Sequence, residues 1–177
     1  MPVPVVLVTA AAEGFRPNMI TIAWTGIVNS EPPMVYVSIR PSRHTYELVR
    51  RSGEYVINVP SVDQVRQTDY CGVVSGRDVD KFKETGLTPV PAAHVKAPMI
   101  KEFPVNLECR VVETVKLPTH DVFIGEVLAV HFNEEVLNEN GRVDVDKVRP
   151  YAFCMQEYRT VVEQIGGYGF SKGVEHK

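Results

Sequence analysis

Along the first sixty residues, apolar side chains recur at alternate or adjacent positions rather than at the three-and-four spacing of a helix. Val5–Ala10, Met19–Val28 and Met34–Ile39, rich in Val, Ile and Thr, are predicted strands. They are separated by breaks at Glu13-Gly14, Asn29–Pro33 and Pro41-Ser42. The period then changes. Thr45 is a predicted N-cap, Glu47 suits a first helical turn, Leu48 and Val49 begin an apolar face, and Gly53 ends the helix. Glu54–Val59 returns to strand, and Val62–Cys71 reads as a second short helix with Ser61 or Asp63 as its cap. A polar stretch from Ser75 to Phe82 leads into a short helix stopping at Gly86. Strands resume at Asn106–Val115, Val122–Phe132 and Tyr151–Cys154. In the first of these, Leu107, Cys109 and Val111 alternate with Glu108 and Arg110, as in a half-buried strand. Gly125 offers a bend or bulge in the second. About six or seven strands with two or three short helices predict a mainly β, antiparallel barrel with helical insertions. A doubly wound parallel sheet would need regular helices between the strands.

Length and composition add few constraints. The chain has 177 residues, 44% apolar and 23% charged, an ordinary globular balance. It reads as one domain over 1–165 with a loose, glycine-rich, polar tail over 166–177. A net charge of -3 without a long Lys/Arg run gives no nucleic-acid surface. Arg40, Arg43, His44, Arg50 and Arg51 nevertheless crowd one short stretch, which suits a small anion. No apolar run approaches a membrane span and no signal peptide is visible, so a cytoplasmic protein is expected. Cys71, Cys109 and Cys154 are too scattered and too few for a disulfide framework or a zinc site, and no metal centre is expected.

Three segments carry candidate chemistry. In the run from Ser38 to Leu48 a strand ends, Pro41 turns the chain, and a helix begins. A helix start presents unpaired N–H groups and the positive end of a dipole, so it can hold a phosphate. Arg40, Arg43, Ser42 and Thr45 add donors; the plainer reading is a capped surface helix with solvated arginines. In Asn18–Gly26, the single tryptophan, Trp24, is either a core residue or the wall of a site for a planar ring. In Asp69–Phe82, two glycines permit close backbone approach to a ligand. There, Cys71 is either a reactive thiol or a structural one, and Lys81 either a ligand contact or a solvated partner of Asp80. His120 occupies a turn between strands. Nucleophile-elbow, dinucleotide and Walker-type phosphate motifs are all missing.

Read together, these residues resemble the flavin reductase-like, FMN-binding split-barrel family. The resemblance rests on Asn18-x-x-Thr21-x-Ala23-Trp24-Thr25-Gly26, then Pro32-Pro33 and Val37-Ser38-Ile39-Arg40-Pro41-x-Arg43-x-Thr45. Glu54–Pro60 and Cys71-Gly72-x-x-Ser75-Gly76-x-x-x-Asp80-Lys81-Phe82 continue it in the same order, over roughly residues 3 to 160. Nearest are the flavoredoxin and archaeal ferric-reductase branches. The resemblance implies an antiparallel, Greek-key-like split barrel that forms a homodimer, with non-covalent FMN near the subunit boundary. It places Asn18, Thr21, Ala23, Trp24 and Ser38 around the flavin, with Arg40, Ser42 and Thr45 on its phosphate. Lys81, His120 and Phe153 are implied as further flavin contacts, and Cys71 as a cysteine near the flavin. The implied activity is electron transfer from NADH, NADPH or a protein donor, through FMN, to flavin, ferric complexes or another carrier. A non-catalytic FMN carrier dependent on a partner reductase stands beside it as the alternative, and a barrel for another phosphorylated ring is a third reading.

Overall fold

A computed structural model describes residues 1–161 and 163–172. In chain order the elements begin β1 Pro2–Pro4, β2 Val6–Ala10, β3 Asn18–Ile22, β4 Thr25–Ser30, β5 Pro33–Ile39, α1 His44–Ser52 and β6 Glu54–Val59. Then follow α2 Val65–Val73, α3 Lys81–Thr85, β7 Pro89–Val90, β8 Met99–Ile100, β9 Val105–Lys116 and β10 Asp121–Phe132. The chain ends with α4 Val145–Val148, β11 Tyr151–Cys154 and β12 Glu157–Thr160.

Seven strands form one antiparallel sheet in the order β3-β2-β6-β9-β10-β5-β4. Its two end strands are consecutive in the chain, with only Ala23 and Trp24 between them. Three residue steps reach about 10–11 Å at most, so the ends of the sheet must come together. The sheet therefore curls into a barrel, yet β3 and β4 are not hydrogen-bonded to each other, which leaves it split along that seam. β5 and β6 are neighbours in sequence but are separated in the sheet by β9 and β10, the Greek-key-like connection that α1 carries. β1, β11 and β12 form a separate three-stranded sheet, and β7 pairs with β8.

Alternation explains how the barrel fills. Val6, Val8 and Ala10 of β2 point inward to Ile20, Val37, Ile57, Cys109 and Phe123, with Leu48 and Val49 of α1 completing that core. Leu7 points to the other face and meets Met19, Cys71, Phe82, Ile100 and Phe103, so α2 and α3 cover the outside of β2 and β3. Strands buried on both faces need nearly continuous apolar sequence, which Val5–Ala10 supplies. Gly125 sits where the β9–β10 register shifts, and a Cβ there would overlap the Tyr55 hydroxyl. On β9, the Glu108 carboxylate is fully buried. It accepts from the backbone N–H groups of Ala93 (2.8 Å), His94 (2.6 Å) and Val95 (3.1 Å), and His131 Nε2 of β10 lies 2.6 Å away. One side chain thus fastens the segment before β8 onto the barrel.

Several boundaries differ from expectation, each for a local reason. The run Met19–Val28 breaks into β3 and β4 at the bend that closes the barrel. Thr45 is not the cap of α1: Arg43 is, with extended backbone and no capping side-chain bond, and Thr45 lies in the first turn. Gly53, at φ 69°, ends α1 in the left-handed conformation that glycine favours, as predicted. Ser61 does cap the second helical segment, but through a 3-10 turn closed by Gln64 before α2 begins. The polar strand β12 and the short α4 had no apolar period to announce them. Of the predicted loose tail, residues 173–177 lie outside the described residues, and Phe170–Lys172 form one 3-10 turn.

Candidate functional site

Beside the β3–β4 seam, along β3 and the chain that leaves β5, lie two adjoining clefts that share Ile20, Arg43 and Gly72. The first holds about 170 Å³ and is walled by Thr21, Ala23, Trp24, Ser38, Arg40 and His120. Trp24 is not a core residue. Held in the bend that closes the barrel, it is 55% exposed, and its ring meets the His120 ring at 4.5 Å between centroids. The bend is fixed from the opposite strand, where Ser38 N–H donates to the Trp24 carbonyl at 3.0 Å. His120 reaches the ring from the β9–β10 hairpin, which Leu117 N–H closes onto the His120 carbonyl at 2.9 Å. Burial, together with the nearby Arg40 guanidinium, holds the His120 imidazole below its ordinary value and so favours its neutral form.

The second cleft, about 40 Å³, is built on the start of α1. Arg43 N–H closes a turn on the Arg40 carbonyl (3.0 Å), with Pro41 pre-setting the second turn position. Because Arg43 supplies no capping side chain, the first N–H groups of the helix are left to other partners. Asn18 Nδ2 donates to Thr45 Oγ1 at 2.8 Å, tying the first residue of β3 to that helix start. Across the cleft lies the loop of Ser75, Gly76 and Arg77. A Cβ at Gly76 would overlap the Asn18 amide, so only glycine lets this backbone come so close. Arg77 donates to the Ser42 carbonyl at 2.8 Å, and Arg16 to the carbonyls of Gly76 (3.4 Å) and Val79 (3.0 Å), so two guanidiniums hold the loop in place.

The electrostatics are one-sided. Neither cleft is lined by a single carboxylate, while Arg40, Arg43, His44, Arg77 and Lys81 all line one or the other. Lys81 is not the solvated partner of Asp80. It is 3% exposed, and its Nζ donates to the carbonyls of Met19 (2.9 Å) and Cys71 (2.6 Å), while Asp80 caps α3 through Lys83 N–H. Burial, with the Arg43 charge against it, brings the Lys81 ammonium down to about 8. His44 is likewise held below its ordinary value by burial and by Arg77, Arg16 and Lys81. Cys71 is fully buried at the back of this cleft, and burial pushes its thiol up to about 11, so it stays protonated near neutrality. A thiolate role for Cys71 is thereby set aside in favour of packing against Leu7 and Phe82.

Two larger hollows lack these features. One, of about 480 Å³, is lined by Arg51 and Lys96 together with Glu13 and Glu54; Arg51 is already paired with Glu47. The other, about 550 Å³, carries Asp144, Asp146 and Glu163 and no basic side chain, and would repel an anion.

Comparison with known proteins agrees with this geometry. Residues 1–161 match the flavin reductase like domain family. The chain belongs to that family. Its split barrel superposes on the flavoredoxin of Desulfovibrio vulgaris (Miyazaki F) with a TM-score of 0.90 at 39% identity, covering 98% of this chain and 93% of the other. For the flavoredoxin of Methanosarcina acetivorans the figures are 0.86 and 40%, covering 94% and 88%. The reductase component of the FADH2-dependent resorcinol hydroxylase of Rhizobium sp. is 28% identical over 142 residues, 75% of this chain and 73% of that protein.

As a flavin reductase-like barrel, the chain brings together eleven of its twelve predicted site residues. Thr21, Ala23, Trp24, Ser38, Arg40 and His120 line the first cleft, and Asn18, Ser42, Thr45, Cys71 and Lys81 the second. Phe153 is the exception. It lies on β11 of the smaller sheet, its ring 5.3 Å from that of Tyr158, and lines neither cleft. The structure adds Arg77 from the Ser75–Arg77 loop, and brings Arg43 and His44 of the basic stretch to the same cleft. The site fits a phosphorylated planar cofactor on the chain's own terms: an uncapped helix start, a cradle that a Cβ would fill, several cations without a carboxylate, and an exposed indole facing an imidazole.

Proposed function

We propose that this chain is an FMN-dependent oxidoreductase of the flavin reductase or flavoredoxin kind, with FMN bound non-covalently along the two clefts. The observation that carries the reading is the pairing of a carboxylate-free cationic cleft at an uncapped helix start with a neighbouring cleft walled by Trp24 and His120. The phosphate sits at Ser42 and Thr45, facing the first N–H groups of α1, Arg43, Arg77 and Lys81. Asn18 holds the Thr45 hydroxyl in place, and the ring lies along Thr21, Ala23, Ser38 and Trp24 with His120 at its side. FMN, when bound, supplies the one- and two-electron chemistry. The protein's share is to bind, orient and shield it, and no side chain is required as a general base.

One protomer's clefts are smaller than the roughly 300–1,000 Å³ usual for a small-molecule site. The second wall comes from a second copy in a homodimer, with the flavin near the boundary. Trp24 (55% exposed), Ile27 (82%) and Leu117 (51%) leave apolar surface that such a partner would cover. Phe153 enters the site, on this reading, from across that boundary. The electrons come from NADH, NADPH or a reduced protein, and leave to free flavin, a ferric complex or another carrier in the cytoplasm.

The test is direct. The purified protein, reconstituted with FMN, is expected to show flavin absorbance and to release FMN on denaturation. Rapid mixing with NADH and NADPH separates the two forms of the proposal. Bleaching within the turnover time marks a reductase, whereas bleaching only by a reduced partner protein marks a carrier. A protein that fails to bind micromolar FMN overturns both.

A further inference from the structure

Arg40 stands apart from the other cations of the site. Arg77, His44 and Lys81 line the cleft at the helix start, and Arg43 lies where the two clefts join. Arg40 lines only the cleft of Trp24 and His120. Its backbone carbonyl is spent on the turn to Arg43, while its exposed side chain makes no hydrogen bond or ion pair among the described residues. Arg40 and His120 line that one cleft together, and the Arg40 charge is felt at the His120 ring. If FMN lies as proposed above, its own phosphate is answered at the other end, and the Arg40 guanidinium faces the entrance used by whatever molecule meets the ring.

We infer that Arg40 is the specificity-determining residue for the second substrate, selecting one that carries a phosphate or carboxylate close to its reacting end. A guanidinium suits either group, because its planar fork of N–H donors matches two oxygens at once. It does so without a carboxylate beside it to compete. The neutral His120 and the Trp24 face leave room next to it for an uncharged ring, so the pair reads a molecule with a flat head and an anionic shoulder. This inference rests on the placement of FMN proposed above.

Binding of unreactive probes to the FMN-loaded protein tests it, with no dependence on turnover. Oxidised nicotinamide mononucleotide and its phosphate-free riboside differ by the one group in question. Calorimetric titration is expected to show the mononucleotide bound about tenfold to a hundredfold more tightly, and Arg40→Gln to erase that ratio. Arg40→Lys should restore part of it. Citrate is the second arm. If citrate binds in an Arg40-dependent way and the mononucleotide shows no preference, the anionic shoulder is that of a carboxylate chelate; the reverse marks a phosphorylated nicotinamide. The inference is overturned if neither probe depends on Arg40, or if Arg40→Gln weakens FMN itself by the same factor while the phosphate preference persists. The latter result would make Arg40 a cofactor ligand. A wild-type protein that takes up no FMN fails earlier, and strikes at the placement of the cofactor instead.

Discussion

Two regions of this barrel handle buried or crowded charge in opposite ways. On the far side, Glu108 has no exposed surface and is met by three backbone N–H groups and a histidine, all belonging to the chain. At the seam, two arginines, Arg40 and Arg43, have no anionic partner among the described residues and line clefts that contain no carboxylate. An uncompensated charge is costly when desolvated, so folds normally answer such groups from within. The first region is what that looks like when the role is structural. The second leaves two exposed, solvated guanidiniums free to meet an anion from outside.

The contrast can be tested from its strongest side downward. Glu108→Leu leaves three backbone donors unsatisfied and is expected to cost about 3–5 kcal/mol, with a fall in melting temperature on the order of 10 °C. FMN affinity of the folded fraction should be retained; a loss of stability below about 1 kcal/mol would break the comparison. The pH dependence carries the same signature. Burial alone would raise the Glu108 carboxyl, but the donors of Ala93, His94 and His131 win and hold it below its usual value. A depressed native value means the stabilisation is present at neutrality and drains away as pH falls below about 4.3, the unfolded value. Melting curves of wild type and Glu108→Gln should therefore converge toward acid.

At the seam the expected order reverses, with function hit and fold spared. Arg77→Gln removes an exposed cation and its bond to the Ser42 carbonyl; it should loosen FMN about tenfold to a hundredfold, while the unliganded protein loses only about 0.5–1.5 kcal/mol. Equal losses in both would make Arg77 a strap rather than a ligand. The smallest effect belongs to Lys81. With its ammonium at about 8, it is a cation below that pH and loses its charge above it. A phosphate is already a dianion there, its second ionisation lying near 6. FMN affinity should fall by no more than about tenfold between pH 7 and 9, and Lys81→Met should flatten the profile; fluorescence titration across that range decides it.

What could be read from the chain follows from how local each signal is. The turn from Ser38 to Thr45 was legible because its cause is local: a proline, a helix start and arginines within eight residues. Glu54–Val59 and Tyr151–Cys154 matched their strands to the residue, helped by the local breaks at Gly53, Pro60 and Pro150. The break at Ala23-Trp24 was not legible, because Ile22, Trp24 and Ile27 continue one apolar run and only the closure of the barrel splits it. Nor was the burial of Lys81. Its neighbours Asp80 and Lys83 read as solvated, and the carbonyls that receive its protons belong to Met19 and Cys71, brought near only by packing. The choice between core and wall for Trp24 was open for the same reason, because only the closing bend sets its exposure.

One strand serves both regions. β10 begins at Asp121, whose carboxylate accepts from Tyr46 of α1 at 2.7 Å, and ten residues later carries His131 to Glu108. Inserting or deleting a single residue between these positions would reverse the facing of everything beyond it and so dismantle one end or the other. Changes in length at the hairpin tip of Pro118 and Thr119 fall outside that span. The lineage of such a protein is therefore free to lengthen the rim beside Trp24, while the interior of this strand stays fixed in length.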